Sequence, residues 1–324
     1  MRLLRLVKDE TSFDFFKHWK IWLGISAFMI VLAMVSFGVR GLNYGIDFRG
    51  GTTIRTESAE PVDVGAYRDA ISALGLGDST ISEVFDPTFG PDENVAMVRI
   101  SAQDGQEAVT AETIAAVEEA LQEVAPDIRF VSVESVGPKV SGELIQTAFV
   151  AVGLAIGAVL IYIWLRFEWQ FAVGAVIALV HDVLLTIGVF SEVGIKFDLA
   201  IIAALLTIVG YSLNDTVVVF DRVRENLRKY KVMPLVDVLN LSANETLSRT
   251  LMTSGTTLIA LLALLVLGGD VIRGFVFAIT WGIIVGTYSS IYIAKNIVLM
   301  LGVKRDWSKK NPAAGGRYAD IEET

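Results

Sequence analysis

Apolar residues along the chain gather into six runs, near 21–39, 146–164, 171–191, 199–220, 251–268 and 274–296. Each is long enough to cross a hydrocarbon core of roughly 30 Å, which takes about 20 helical residues. Backbone groups inside a bilayer must be satisfied within the spanning element, and runs this long suit helices, not a barrel.

Between the first and second runs the pattern changes. From 45 to 138 it reads strand, helix, strand, strand, helix, strand. Val64, Tyr67, Ile71 and Leu74 recur at spacings of three and four, with Pro61 upstream as an opener. Ile114, Val117, Leu121 and Val124 repeat the spacing, and Pro126 stops it. Segments 52–56, 80–85, 95–100 and 128–133 are rich in Val, Ile, Thr and Phe, as strands are. This order predicts a split β-α-β, ferredoxin-like arrangement with two helices on one face of a four-stranded antiparallel sheet. The expected class is an α-helical membrane protein of six transmembrane helices with an inserted α+β domain.

Composition agrees, at 53% hydrophobic and 19% charged residues. Charge then adds direction. Arg2, Arg5, Lys8, Lys17 and Lys20 precede the first run, Arg222, Arg224, Arg228, Lys229 and Lys231 follow the fourth, and Lys304, Arg305, Lys309 and Lys310 follow the sixth. Basic flanks mark the cytoplasmic side. The expected organisation is a cytoplasmic segment 1–20, a first helix 21–39, a periplasmic domain 40–142, helices two to six within 143–302, and a cytoplasmic tail 303–324. Segment 40–142 holds 18 Asp/Glu against 7 Arg/Lys, so the acidity of the chain belongs to this domain. The first run is long for the apolar part of a signal peptide, and Arg40 follows it, so it reads as a retained anchor. With no cysteine, the periplasmic domain folds without disulfides.

Catalytic patterns are missing from the sequence. Gly137 and Gly142 have phosphate-loop spacing, but Glu143 and Leu144 stand where Lys and Ser/Thr belong. His18 and His181 lie far apart, and no HExxH or cysteine cluster supplies metal ligands. No cofactor, metal or nucleic acid is expected.

The informative residues are ionisable groups within apolar runs, where a charge costs several kcal/mol. His181 and Asp182 fall in the middle of the third run, and Asn214 and Asp215 in the fourth. Thr207, Tyr211, Asn214 and Asp215 recur at helical spacing, giving that helix a polar side that must face other helices or a water-filled path. Arg249 is expected to open the fifth helix at its cytoplasmic end, within reach of the fourth. A proton carrier must change charge near neutral pH, and burial moves a carboxyl towards that range by up to roughly 3–5 units. Asp182 and Asp215 are therefore the candidate carriers, with Arg249 opposing or permitting protonation as the helices move. The plain alternative is that these groups only hold the bundle together by interhelical hydrogen bonds, each worth on the order of 1 kcal/mol. The pairs Gly153/Gly157 and Gly282/Gly286 have the spacing of close helix packing.

Three segments also carry a family resemblance: Gly45-Ile-Asp-Phe-Arg-Gly-Gly-Thr52, Gly210-Tyr-Ser-Leu-Asn-Asp-Thr-Val-Val-Val-Phe-Asp-Arg-Val-Arg-Glu-Asn226, and Leu247-Ser-Arg-Thr-Leu-Met-Thr-Ser-Gly-Thr-Thr257. They resemble the signatures of the SecF family, the bacterial protein-export partners of SecD within the resistance-nodulation-division superfamily. The resemblance implies a multi-pass inner-membrane subunit that pairs with SecD as a heterodimer beside the SecYEG channel, with YajC as a further partner. It implies use of the proton-motive force to move unfolded polypeptide outward, with Asp215 and Arg249 on the proton path. Asn214 belongs to the same fourth-helix motif, and His181-Asp182 fits the third-helix pattern. Rival readings are a proton-coupled small-molecule exporter of the superfamily, for which one insert of this size leaves little room for a pocket of about 300–1,000 Å³, and a non-transporting scaffold.

Overall fold

Every apolar run forms a helix in the structure, a computed structural model that describes residues 11–76, 79–86, 89–90, 93–101 and 109–303. Helix α1 (Trp19–Arg40) leads into the two-residue strand β1 (Asn43–Tyr44) and the short α2 (Ile46–Arg49). The insert follows as β2 (Gly51–Ser58), α3 (Val64–Ala73), β3 (Ser79–Val84), β4 (Asn94–Ser101), α4 (Ala111–Val124) and β5 (Arg129–Val136). Next come α5 (Pro138–Arg166), α6 (Trp169–Val193), strand β6 (Lys196–Phe197), α7 (Leu199–Lys229) and α8 (Leu235–Leu267). The last span joins α9 (Asp270–Ser289) to α10 (Lys295–Leu301) through a π-helical turn over Ser290–Ala294. Arg2, Arg5, Lys8, Lys304, Arg305, Lys309 and Lys310 lie outside the described residues.

The insert has the expected split β-α-β topology. Its antiparallel sheet runs in the order β3-β4-β2-β5. Alternate residues of β2 and β4, with Ile54, Val98 and Ile100 fully buried, meet Tyr67 and Ile71 of α3 and Val117 and Leu121 of α4. Helix α3 is started by Asp63, whose carboxylate accepts the amides of Gly65 and Ala66 at 2.9 and 3.0 Å, and not by Pro61. Among the described residues, no helix of the insert covers the opposite face of the sheet. Thr53, Met97, Arg99 and Glu134 from that face, with residues at the nearby ends of α7 and α9, line a cavity of about 770 Å³. The insert alone gave no reason to expect so large a space; it forms between the domain and the bundle.

Helix boundaries depart from hydropathy in one direction: the helices run on past the apolar runs. Hydropathy started the fifth at 251, but α8 begins at Leu235. Its first turns carry Val238, Leu239, Ala243 and Leu247 at helical spacing, all buried, the first two against Val219, Phe220, Val223 and Leu227 of α7. Hydrophobicity reports where lipid is, whereas the i to i−4 ladder continues wherever a face can be buried. The end of α7 and the start of α8 thus form a hairpin beyond the apolar runs, and Asn244 straps Thr11 and Phe13 to it at 2.8 Å each.

Close approach follows glycine in some places only. Gly188 of α6 packs on Ala33 of α1, and Gly282 and Gly286 of α9 pack on Ile208 and Ser212 of α7. Gly153 and Gly157 have the same spacing but face open space, correcting the expectation of packing there.

Besides the chain connections through α1 and α5, hydrogen bonds among the described residues hold the domain to the bundle at its root and at its far side. At its root, β1 pairs in parallel with β6, the Gly45 amide donates to the Phe197 carbonyl at 2.7 Å, and the Leu199 amide donates to Asp47 Oδ2 at 3.0 Å. Gly45 fits closely there, since a Cβ would stand 3.1 Å from Asp198 Cβ. At the far side, the Asp270 amide donates to the Phe85 carbonyl, and the Phe85 amide to Asp270 Oδ2, both at 2.9 Å.

Candidate functional site

Four helices bring their polar side chains to one layer inside the bundle. Asp182 on α6 is 0% exposed. Its Oδ2 accepts the hydroxyls of Ser212 from α7 at 2.7 Å and Ser289 from α9 at 2.8 Å, and its Oδ1 lies 3.0 Å from His181 Nδ1. Three partners for one buried carboxyl meet the requirement that polar groups withdrawn from water be paired. Gly286 makes the room, since a Cβ there would sit 3.1 Å from Ser212 and 3.6 Å from Asp182 Oδ2.

Asp215, one turn after Ser212 on α7, is 3% exposed. Ser254 of α8 reaches its Oδ2 at 3.5 Å and also bonds Thr287 of α9 at 2.8 Å. Each carboxyl thus has its own hydroxyls, Ser212 and Ser289 at Asp182 and Ser254 with Thr287 at Asp215, each able to donate one proton and accept another.

The expected site residues separate. His181, Asp182 and Asp215 are buried together in this layer. Asn214 is exposed on the outer face of α7, because consecutive helical residues point about 100° apart. Arg249 is exposed and sits in the interior of α8, not at its start, since that helix begins further upstream. It forms no ion pair with Asp215; Ser254 contacts that carboxyl, and Arg249 acts on it at longer, Coulombic range. Ala203, Thr207, Gly210 and Asn214 make a continuous exposed stripe on α7.

Ser212, Ser254, Thr287 and Ser289 went unread in the sequence. Serine and threonine satisfy themselves on their own helix's carbonyls at many positions, so their presence in an apolar run carries little signal. Lys295 was also missed, although a lysine within the sixth run was visible. It is 0% exposed, its Nζ has no hydrogen-bond partner among the described residues, and it lies 4.7 Å over the Phe15 ring and 5.7 Å from that of Phe16.

Above this layer, where the domain meets the bundle, Asp198 caps α7 by accepting the Ile201 amide at 3.2 Å. Burial raises its carboxyl above the ordinary range, and neighbouring Asp47 adds to the rise while Arg99 opposes it. Burial lowers the Arg99 guanidinium, against the opposing carboxylates of Asp198 and Asp47.

Comparison with known proteins gives a consistent result. A family model described as Protein export membrane protein SecD/SecF, C-terminal, matches residues 116–304, and one described as SecD/SecF GG Motif matches residues 35–62. The chain is 62% identical over 319 residues to the protein translocase subunit SecF of Cereibacter sphaeroides, covering 98% of each chain. It is 39% identical over 295 residues to that of Escherichia coli O157:H7, covering 90% of this chain and 88% of the relative. Among solved structures it resembles SecDF, a translocon-associated membrane protein from Thermus thermophilus, at 35% identity and a TM-score of 0.79 over 91% of this chain. The chain spans 39% of that SecDF chain.

Proposed function

Because the chain belongs to the SecF family of protein translocase subunits, we propose that it is one half of a proton-driven export machine in the bacterial inner membrane. A SecD-type chain supplies the other half, SecYEG supplies the channel, and YajC is an accessory partner. The cargo is unfolded polypeptide. The domain faces the periplasm and both termini face the cytoplasm, a reading supported by Arg166, Arg222, Arg224, Arg228 and Lys229 at the domain-free ends of the helices.

The observation that carries the reading is Asp215, a buried carboxyl of α7 reached by Ser254 of α8, which is bonded in turn to Thr287 of α9. A group so placed takes up a proton from one side and releases it to the other when the helices around it shift. Asp182, held by Ser212 and Ser289 with His181 beside it, continues the path and ties its state to the spacing of α7 and α9. Asn214 and Arg249, exposed next to this layer, face the SecD-type half and complete the path across that interface. An exposed Asn within an apolar span is costly against lipid, which supports a covering helix from another chain.

Proteoliposomes containing SecYEG, its ATPase, the SecD-type partner and this chain test the reading. Asp215→Asn keeps the shape and a hydrogen-bond acceptor but removes the titration. It is expected to abolish the stimulation of export by an imposed proton gradient and leave the ATP-driven step intact. Gradient-stimulated export equal to that of the parent protein would exclude Asp215 as the carrier and favour a scaffold role.

A further inference from the structure

A cavity of about 350 Å³ lies among the apolar spans beneath the root of the domain, and no residue of the polar layer lines it. Its walls follow from helical spacing: Ile145, Ala148, Phe149 and Val152 recur at three and four, so one apolar face of α5 is turned to it. Val183 of α6 and Leu205 of α7 form its back wall and are 7% and 2% exposed. Tyr44, Phe48 and Phe197, packed ring against ring at the root, lie over it. The front is different. Met34 of α1 and Phe149 of α5 line the cavity and are 60% and 72% exposed, so it opens sideways between these two helices. Both helices pack along α6, α1 through Ala33 on Gly188, and this sets the gap between them.

We propose that this cavity holds one acyl chain of a phospholipid from the leaflet on the domain side, with the lipid phosphate against Arg40. Chemistry and size decide what fills the space. The Tyr44 hydroxyl is the only polar side-chain group among the described lining residues, whereas a buried water needs about two to four polar partners. A helix is about 10–12 Å across and does not enter so small a space. Left dry, the lining side chains would forfeit dispersion contacts that an acyl chain restores, and the sideways opening faces lipid. Charge complements the other end of such a molecule. Arg40 lies seven residues after Ala33, about two turns along the same side of α1, at the level where headgroups begin. Its guanidinium is exposed and pairs with the exposed Glu192 at 3.1 Å. A phosphate complements the first and the ammonium of an ethanolamine headgroup the second. The acyl chain then packs under Tyr44, Phe48 and Phe197, making lipid part of the core on which the root of the domain rests.

Lipid seated here is independent of the proton path, and its test needs no gradient. The probe is a phosphatidylethanolamine with a diazirine midway along one acyl chain, in nanodiscs holding this chain and a SecD-type partner. Photolysis is expected to label Val183 and Leu205, which bulk lipid cannot reach behind α1 and α5. Ala148→Phe pushes a ring into the cavity and is expected to lower that labelling at least tenfold, leaving the exposed Leu154 labelled as before. Val152→Phe makes the same test from the next turn of α5, should Ala148→Phe fail to fold. Arg40→Gln is expected to lower back-wall labelling by the phospholipid at least threefold and to leave unchanged the weaker labelling by a fatty alcohol carrying the same diazirine. Labelling confined to exposed residues such as Leu154, or equal labelling of the back wall by lipid and alcohol, would overturn the proposal. So would labelling of Val183 and Leu205 in the chain alone that disappears once the SecD-type partner or SecYEG is bound, since the occupant would then be protein.

Discussion

Lys295 and Asp198 show opposite ways in which a single charge burdens this protein. Lys295 is wholly buried without a hydrogen-bond partner among the described residues, where the Phe15 and Phe16 rings face its ammonium end. Lys295→Met is therefore expected to raise the thermal unfolding midpoint in detergent by a few degrees, because a buried amine without a hydrogen-bond partner among the described residues is replaced by an apolar chain of similar length. Asp198 is different, since its carboxyl caps α7 but titrates above the ordinary range because of burial, with Asp47 adding to the effect. A raised folded-state value means that the folded protein binds a proton the unfolded chain would release. Stability from this group is thus complete at low pH and is lost as pH rises through the raised value. Asp198→Asn keeps the acceptor for Ile201 and removes the charge, so it should unfold at a higher temperature than the parent near neutrality, with the gap closing on acidification. At this scale the carboxyls Asp182 and Asp215 were legible in the sequence because charge in an apolar run is expensive. Their hydroxyl partners were not, because only the fold decides whether a serine bonds its own helix or its neighbour's carboxylate.

Spacing told less about elements than about residues. Gly153/Gly157 and Gly282/Gly286 share one motif, yet only the second pair meets another helix; the motif describes a groove, and tertiary structure decides what fills it. Gly188 has no partner glycine at that spacing and makes one of the tightest contacts, against Ala33. Gly188→Leu should force α1 from α6 and destabilise the bundle by about 1–3 kcal/mol, read as a lower unfolding midpoint in detergent, while Gly153→Leu should be close to neutral. The four strands and two helices of the insert were legible because their alternation and helical periodicity answer to one local core. The β1–β6 pair was not, since two residues carry no period, and the early start of α8 was not, since its first turns are buried by protein instead of lipid.

For the whole molecule, the exposed stripe Ala203, Thr207, Gly210 and Asn214 is the clearest sign of an incomplete assembly. Thr207→Cys should react with a membrane-permeant thiol reagent in the chain alone and be protected at least several-fold once a SecD-type chain is bound, as read by labelling yield. Helix α7 then has a consequence for leverage. It is helical without proline from Leu199 to Lys229, and the stretch from Leu199 to Asp215 measures about 24 Å at about 1.5 Å per residue. A pivot of roughly 10° about Asp215 carries the domain end of this rod about 4 Å, well beyond the range over which a hydrogen bond survives. The carboxyl at the pivot scarcely moves. A small rearrangement of the side chains around Asp215 is thereby compatible with a displacement several times larger at the end of the rod that meets the inserted domain.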